Sequence, residues 1–119
     1  RGLGDVYKRQ IINRTKETAS DLCNSVLKWY PDLDIKLYKD FSECDILINT
    51  TSLGLKESDQ LPFDVEKSSS SSLIADIIMK PEMTRLLNKA KQINRKIHLG
   101  KHMLDYQIEL MENFLTKDI

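Results

Sequence analysis

No run of apolar residues in this chain approaches the ~20 needed to cross a bilayer as a helix, so no membrane-spanning segment and no membrane partner are expected. Charge of one sign is not in excess either, since 18 Lys and Arg stand against 18 Asp and Glu. A domain that grips nucleic acid needs a basic field, and an acidic tail would show as a block of like charge. Neither is present, which argues against a nucleic-acid partner. Cysteine is scarce: Cys23 and Cys44 lie far apart, belong to no C-x-x-C pair and follow no visible signal peptide. They read as reduced, ordinary residues of a cytoplasmic protein. Histidine is confined to His98 and His102, spaced i, i+4 with no acidic or cysteine cluster beside them, so no metal site is expected.

What is present is enough for one domain, 119 residues. The most ordered stretch is Asp45–Leu55, DILINTTSLGL. Ile46, Leu47 and Ile48 form a short unbroken apolar run, the pattern of a strand buried on both faces of a parallel sheet covered by helices. The run stops at Asn49, Thr50, Thr51 and Ser52, followed by Leu53 and Gly54. Small hydroxyl and amide side chains with a glycine offer hydrogen bonds and close backbone approach. They do so at the carboxyl end of the strand, where open α/β folds bind ligands. Taken alone, a polar turn after a core strand explains the same residues.

Along the chain, Gly2-Leu3-Gly4 has no strand before it and Tyr7 where a third glycine would stand, so it fails as a dinucleotide loop. Asp5–Gln10, DVYKRQ, resembles the translation of a transposon adaptor used in DNA library preparation. Residues 1–10 are therefore expected to be a non-native or scar segment, with the domain at 11–119. Ile11 and Ile12 form a short strand. Ala19, Leu22, Cys23, Val26, Leu27 and Tyr30 then repeat at helical spacing, with Thr15 as N-cap and Pro31 closing the helix. A second strand is predicted at Asp34–Tyr38. Lys56–Ser72 reads as a polar loop whose serine run, Ser68–Ser72, is low in complexity and solvated. Leu73–Met79 is another buried strand, whose Asp76 needs a partner because an unpaired buried carboxylate costs several kcal/mol. Pro81 suits the first turn of a helix facing inward with Leu86, Leu87, Ala90 and Ile93. Lys96–Leu99 is the last strand. Gly100 precedes a closing helix with Met103, Leu104, Ile108, Met111, Phe114 and Leu115 inward. Strands alternating with helices in this way predict a parallel α/β sheet with right-handed crossovers.

Asn13-Arg14-Thr15 sits just past the first strand. In the dinucleotide fold that place meets the adenosine ribose, and an arginine there accommodates the 2′-phosphate of NADP. Arg14 supplies a planar fork, Thr15 a donor and Lys16 further charge. A solvated helix start would look the same. NRT before a helix, DILINTTSLGL, ADIIMKPEMTRLL and HLGKHMLDYQ, in that order, together resemble the C-terminal half of the shikimate/quinate dehydrogenase family over roughly residues 11–114.

The resemblance implies an NADP-dependent oxidoreductase acting on 3-dehydroshikimate, in aromatic amino-acid biosynthesis. By it, Asn13, Arg14 and Thr15 would hold the 2′-phosphate, and Thr51, Ser52 and Leu53 would line the nicotinamide half. Gly100 and Met103 would border the nicotinamide, and Gln107 would bond a substrate hydroxyl. It also implies an incomplete Rossmann-like sheet, lacking the first strand, glycine-rich loop and first helix. The N-terminal substrate domain that carries the family's catalytic lysine and aspartate is absent too, so no catalytic residue is expected here. The family pattern is broken by Thr18 in place of a basic residue, Met79 in place of tyrosine and His102 in place of glycine. These mark a divergent branch and leave open a related cyclic hydroxy acid as substrate. The competing classes are a non-catalytic nucleotide-binding module and a flavodoxin-like signalling domain. The latter wants acidic residues at strand ends, where this chain has Asn13, Asn49 and Met79.

Overall fold

Strand and helix alternate as the apolar pattern requires. The computed structural model describes residues 8–37 and 40–117. Residues 1–7, with Gly2-Leu3-Gly4, and Tyr38 of the second expected strand lie outside these. The chain divides into two units at Asp40–Phe41.

In the first unit, β1 (Arg9–Ile11) leads through α1 (Lys16–Trp29) to β2 (Ile35–Leu37). The two strands run parallel, Ile11 opposite Leu37. β1 thus begins two residues before Ile11. Thr15 is the N-cap in extended backbone, but its side chain makes no capping bond. The Tyr30 N–H closes on Val26 O, and Pro31 follows. Of the expected stripe only Ala19 and Cys23 are buried, while Leu22 and Tyr30 are exposed.

The second unit holds a three-stranded parallel sheet in the order β3-β4-β5, formed by β3 (Ile46–Asn49), β4 (Leu73–Asp76) and β5 (Lys96–His98). α2 (Arg85–Gln92) crosses between β4 and β5, and α3 (Lys101–Thr116) follows β5. Among the described residues no strand joins β1 to β3, so the arrangement is an incomplete Rossmann-like α/β fold. Leu47, Ile74, Val65, Phe41, Leu86, Leu87 and Ala90 form its core, and the Phe41 and Phe63 rings meet at 5.2 Å.

Four expectations are corrected here. β3 is not buried on both faces: Leu47 and Asn49 point inward, while Ile46 and Ile48 are each 57% exposed. A period-two strand puts alternate residues on opposite faces, and α2 and the core cover only one of them. The same reason applies to α3, none of whose residues is buried. An apolar stripe predicts that a helix could be covered, not that something lies against it. Lys56–Ser72 is not simply solvated. It contains a 3₁₀ turn at Val65–Lys67 with Val65 fully buried, and Ser68 and Ser72 are buried as well. Ser72 Oγ donates to Cys44 O at 2.7 Å, and the Arg95 guanidinium grips Ser68 through its Oγ and carbonyl, both at 3.0 Å. Finally, Pro81 is not in the first turn of α2. It follows a cis Lys80–Pro81 bond, and the helix starts at Arg85 with Thr84 capping it through Oγ1 to the Leu87 N–H.

Candidate functional site

β3 and β4 end side by side, with Asn49 opposite Asp76. Both side chains are 2% exposed, so each must find partners inside the protein. The Asn49 amide donates to Leu53 O at 2.9 Å and to Asp76 Oδ1 at 3.2 Å. Its oxygen accepts from the Thr51 N–H at 3.0 Å and the Thr51 hydroxyl at 2.7 Å. Thr51 Oγ1 in turn accepts from the Leu53 N–H at 3.1 Å. Asp76 accepts from the Ile78 N–H at 3.1 Å and from Thr84 Oγ1 at 2.9 Å. The pairing demanded of this buried carboxylate is therefore complete.

These bonds shape an open cleft of about 680 Å³ beyond the strand ends. Thr50, Thr51, Ser52 and Leu55 form one lip, and Ile77, Ile78, Met79 and Lys80 the other, with Leu104 of α3 alongside. Gly54 turns the first lip with φ +118°, a conformation that favours glycine. Asp59 pins that turn by accepting from the Gly54 and Lys56 N–H groups, both at 3.0 Å. The Lys56 and then the Gly54 bond hold its carboxyl below the usual range. Behind the second lip, Gly100 packs directly on the Ile77–Ile78 backbone. Lys101 Nζ meets Glu82 Oε1 at 2.8 Å, which raises the lysine's pKa and lowers the glutamate's.

The first unit has a smaller hollow of about 240 Å³, lined by Ile11, Ile12, Asn13, Lys16, Ala19 and Leu37. Asn13 Nδ2 donates to Thr15 O at 3.1 Å, closing the turn into α1. Arg14, Thr15 and Lys16 are exposed there, and among the described residues neither cation has an acidic partner. Two unengaged cations beside a helix start suit a phosphate ester.

Of the residues expected to act, Thr51 and Ser52 line the cleft directly. Leu53 belongs to the same lip but turns its backbone to Asn49, and Gly100 backs the opposite lip. Met103 is 41% exposed just before Leu104, and Gln107 lies exposed farther along α3 without lining the cleft. Reading the sequence named Thr50 only as part of the polar strand end, and it missed Leu55, Ile77, Ile78, Met79 and Lys80 as lining residues. Their signal was position: they follow the ends of two adjacent parallel strands. It also missed Asn49 as the anchor of the lip, although an amide ending an apolar run was visible. The His98 and His102 rings lie 5.1 Å apart, and among the described residues no three potential ligands gather round a metal.

No family model matches the chain. The shikimate dehydrogenase (NADP(+)) of Pelagibacter ubique is 32% identical over 104 residues, spanning 87% of this chain and 38% of that protein. The chain thus covers less than half the length of the curated relatives it matches. A solved shikimate dehydrogenase in complex with NADP+ superposes with a TM-score of 0.80 at 26% identity, over 92% of this chain and 41% of the other. The Thermus thermophilus shikimate 5-dehydrogenase, in complex with NADP(H) and shikimate, gives 0.75 at 26% identity, over 91% and 40%. By sequence and by fold alike, the chain belongs to the shikimate dehydrogenase family.

Proposed function

We propose that this chain is the nucleotide-binding part of an NADP-dependent shikimate dehydrogenase, which reduces the 3-keto group of 3-dehydroshikimate to the alcohol. The observation that carries the reading is the cleft at the carboxyl ends of β3 and β4, whose lip is fixed by Asn49 in the region the family uses for its cofactor. Arg14 and Lys16, which have no acidic partner among the described residues, fit the adenosine 2′-phosphate together with Asn13 and Thr15. Thr51, Ser52 and Leu53 would hold the nicotinamide half from one side, with Gly100 and Met103 bordering it from the other. The bound cofactor supplies the hydride. Gln107 would orient the substrate through a ring hydroxyl, because an amide both donates and accepts. The proton-transfer groups would come from the part of such a protein outside the stretch this chain matches, which is 38% of the Pelagibacter ubique relative.

A second substrate is favoured by one residue. Met79, at the place where the family pattern has tyrosine, lines the cleft with a thioether and offers no phenol to a ligand. A related cyclic hydroxy acid such as quinate is the alternative. The deciding experiment compares the full-length protein with the 119-residue chain, using NADPH and 3-dehydroshikimate, then NADP+ with shikimate or quinate. The full-length protein should turn over and the chain alone should not. Positioned acid–base groups contribute ~10²–10⁴-fold by themselves. An enzyme-like rate from the chain alone, or a full-length protein that ignores NADP(H), would overturn the reading.

A further inference from the structure

We propose that Asp76 is a positioning residue that fixes both the hydrogen-bonding polarity and the width of the cleft, acting through Asn49. Its affinity readout rests on the cofactor reading above; its structural readout does not. A primary amide has two N–H donors and two acceptor positions, and Asn49 uses all of them. Its donors go to Leu53 O and Asp76 Oδ1, and its oxygen takes both the N–H and the hydroxyl of Thr51. A carboxylate only accepts, so Asp76 permits the Asn49 NH₂ on its side and rejects the oxygen. A flipped amide would set oxygen against the carboxylate and NH₂ against the Thr51 N–H. The carboxylate on β4 therefore acts together with Leu53 O and the Thr51 N–H to set which way the amide on β3 faces.

That choice travels into the cleft. With its proton given to Asn49, the Thr51 hydroxyl can offer a ligand only a lone pair, and it already receives the Leu53 N–H. The group that meets Thr51 in the cleft must then be a donor, such as the NH₂ of a carboxamide. The same Asp76 Oδ1 that receives Asn49 also receives the Ile78 N–H, so one oxygen ties down both lips. Oδ2 is held by Thr84, which is fully buried at the start of α2. Neither Asp76 nor Asn49 lines the cleft itself, which makes the role one of positioning and not of chemistry.

The test uses the full-length protein carrying Asp76→Asn. An amide at 76 exchanges a carboxylate that accepts at both oxygens for one acceptor and one donor, so it loosens the hold that Asp76 adds to those of Leu53 O and the Thr51 N–H on Asn49. Ala90→Gly, in the buried face of α2, serves as a destabilised control away from the cleft. Hydrogen exchange at the Thr51 and Leu53 amides and the NADPH dissociation constant are measured alongside the melting temperature. Asp76→Asn should speed exchange at both amides and weaken NADPH roughly three- to tenfold, the worth of about one hydrogen bond. Ala90→Gly should lower the melting temperature and change neither. Should Asp76→Asn fail to fold, Asn49→Ala removes the same anchor, leaves Asp76 its Ile78 and Thr84 donors, and should give the same signature. If exchange at Thr51 and Leu53 follows melting temperature equally in the cleft variant and the control, Asp76 is merely structural and the inference falls. If the wild-type protein binds no NADPH, the proposed function falls, and the exchange contrast alone decides the role of Asp76.

Discussion

Replacing Gly100 by alanine would drive a methyl group against Ile78 O and place it 2.7 Å from the carbonyl carbons of Ile77 and Ile78. Atoms of this kind prefer ~3.5 Å, so the overlap approaches 1 Å. The obstacle is backbone, which cannot rotate away as a side-chain tip would. Gly100 itself has φ −61°, ψ −30°, a conformation alanine adopts without strain, so the effect is steric alone. Relief requires the start of α3 and the exit of β4 to part. Overpacking of this sort costs about 1–3 kcal/mol. Because Ile77 and Ile78 form a lip of the cleft, the displacement should also weaken NADPH binding. Urea unfolding of wild type and Gly100→Ala measures the first effect as a lower midpoint at unchanged slope, and a cofactor titration measures the second. A variant as stable as wild type with unaltered NADPH affinity would refute the close approach and the coupling drawn from it.

Arg14→Ala in the full-length protein should weaken NADP by about ten- to a hundredfold, the worth of a charge-assisted hydrogen bond at about 1.5–3 kcal/mol, and leave NAD nearly unchanged; equal losses in paired titrations would remove Arg14 from the phosphate. Gln107→Ala should raise KM for the substrate or lower kcat at a cost of about 0.5–1.5 kcal/mol, with cofactor binding measured alone unaffected. The Asp59 carboxyl is held low by the Lys56 and Gly54 N–H groups, so its stabilisation of the first lip is present at neutral pH. It is lost as pH falls through that depressed value, below pH ~4. Protection of the Gly54 and Lys56 amides, taken relative to the intrinsic exchange rate at each pH, should fall in that window and show no such fall in Asp59→Asn. Ser72→Ala removes the buried hydroxyl that donates to Cys44 O and should cost about 0.5–1.5 kcal/mol, the worth of one hydrogen bond, read as a lower urea midpoint.

Periodicity in the sequence located each strand and helix, because the 3.6 and 2 repeats are local properties of the chain. It identified the buried face of α2 through Leu86, Leu87 and Ala90, which are all buried. It anticipated that Asp76 must be paired, since the cost of a lone buried charge does not depend on knowing the partner. What it could not supply was what lies against a given face. Ile46 and Ile48 carry the same apolar signal as Leu47, yet only Leu47 meets the core. α3 has a readable stripe and no buried residue. The start of α2 was misjudged because Pro81 fits a first turn as well as Thr84 fits a cap, and only the backbone path chooses between them. The lips of the cleft were half legible. Thr51 and Ser52 declare themselves chemically, whereas Ile77, Ile78 and Leu104 line the cleft by virtue of which elements the fold sets side by side.

The serine run carries a consequence for anyone editing this protein. By composition it looks like a linker, the kind of segment that is trimmed, replaced by glycine and serine repeats, or masked before sequences are aligned. Its members are not equivalent. Ser70 and Ser71 face water, while Ser68 and Ser72 are enclosed, one clasped by Arg95 and the other fastened to Cys44 O. A saturation scan across the five positions should therefore show tolerance in the middle flanked by two intolerant ends. Five identical letters would thus hide a sharply uneven map of constraint, visible only when each hydroxyl is traced to the atom it holds.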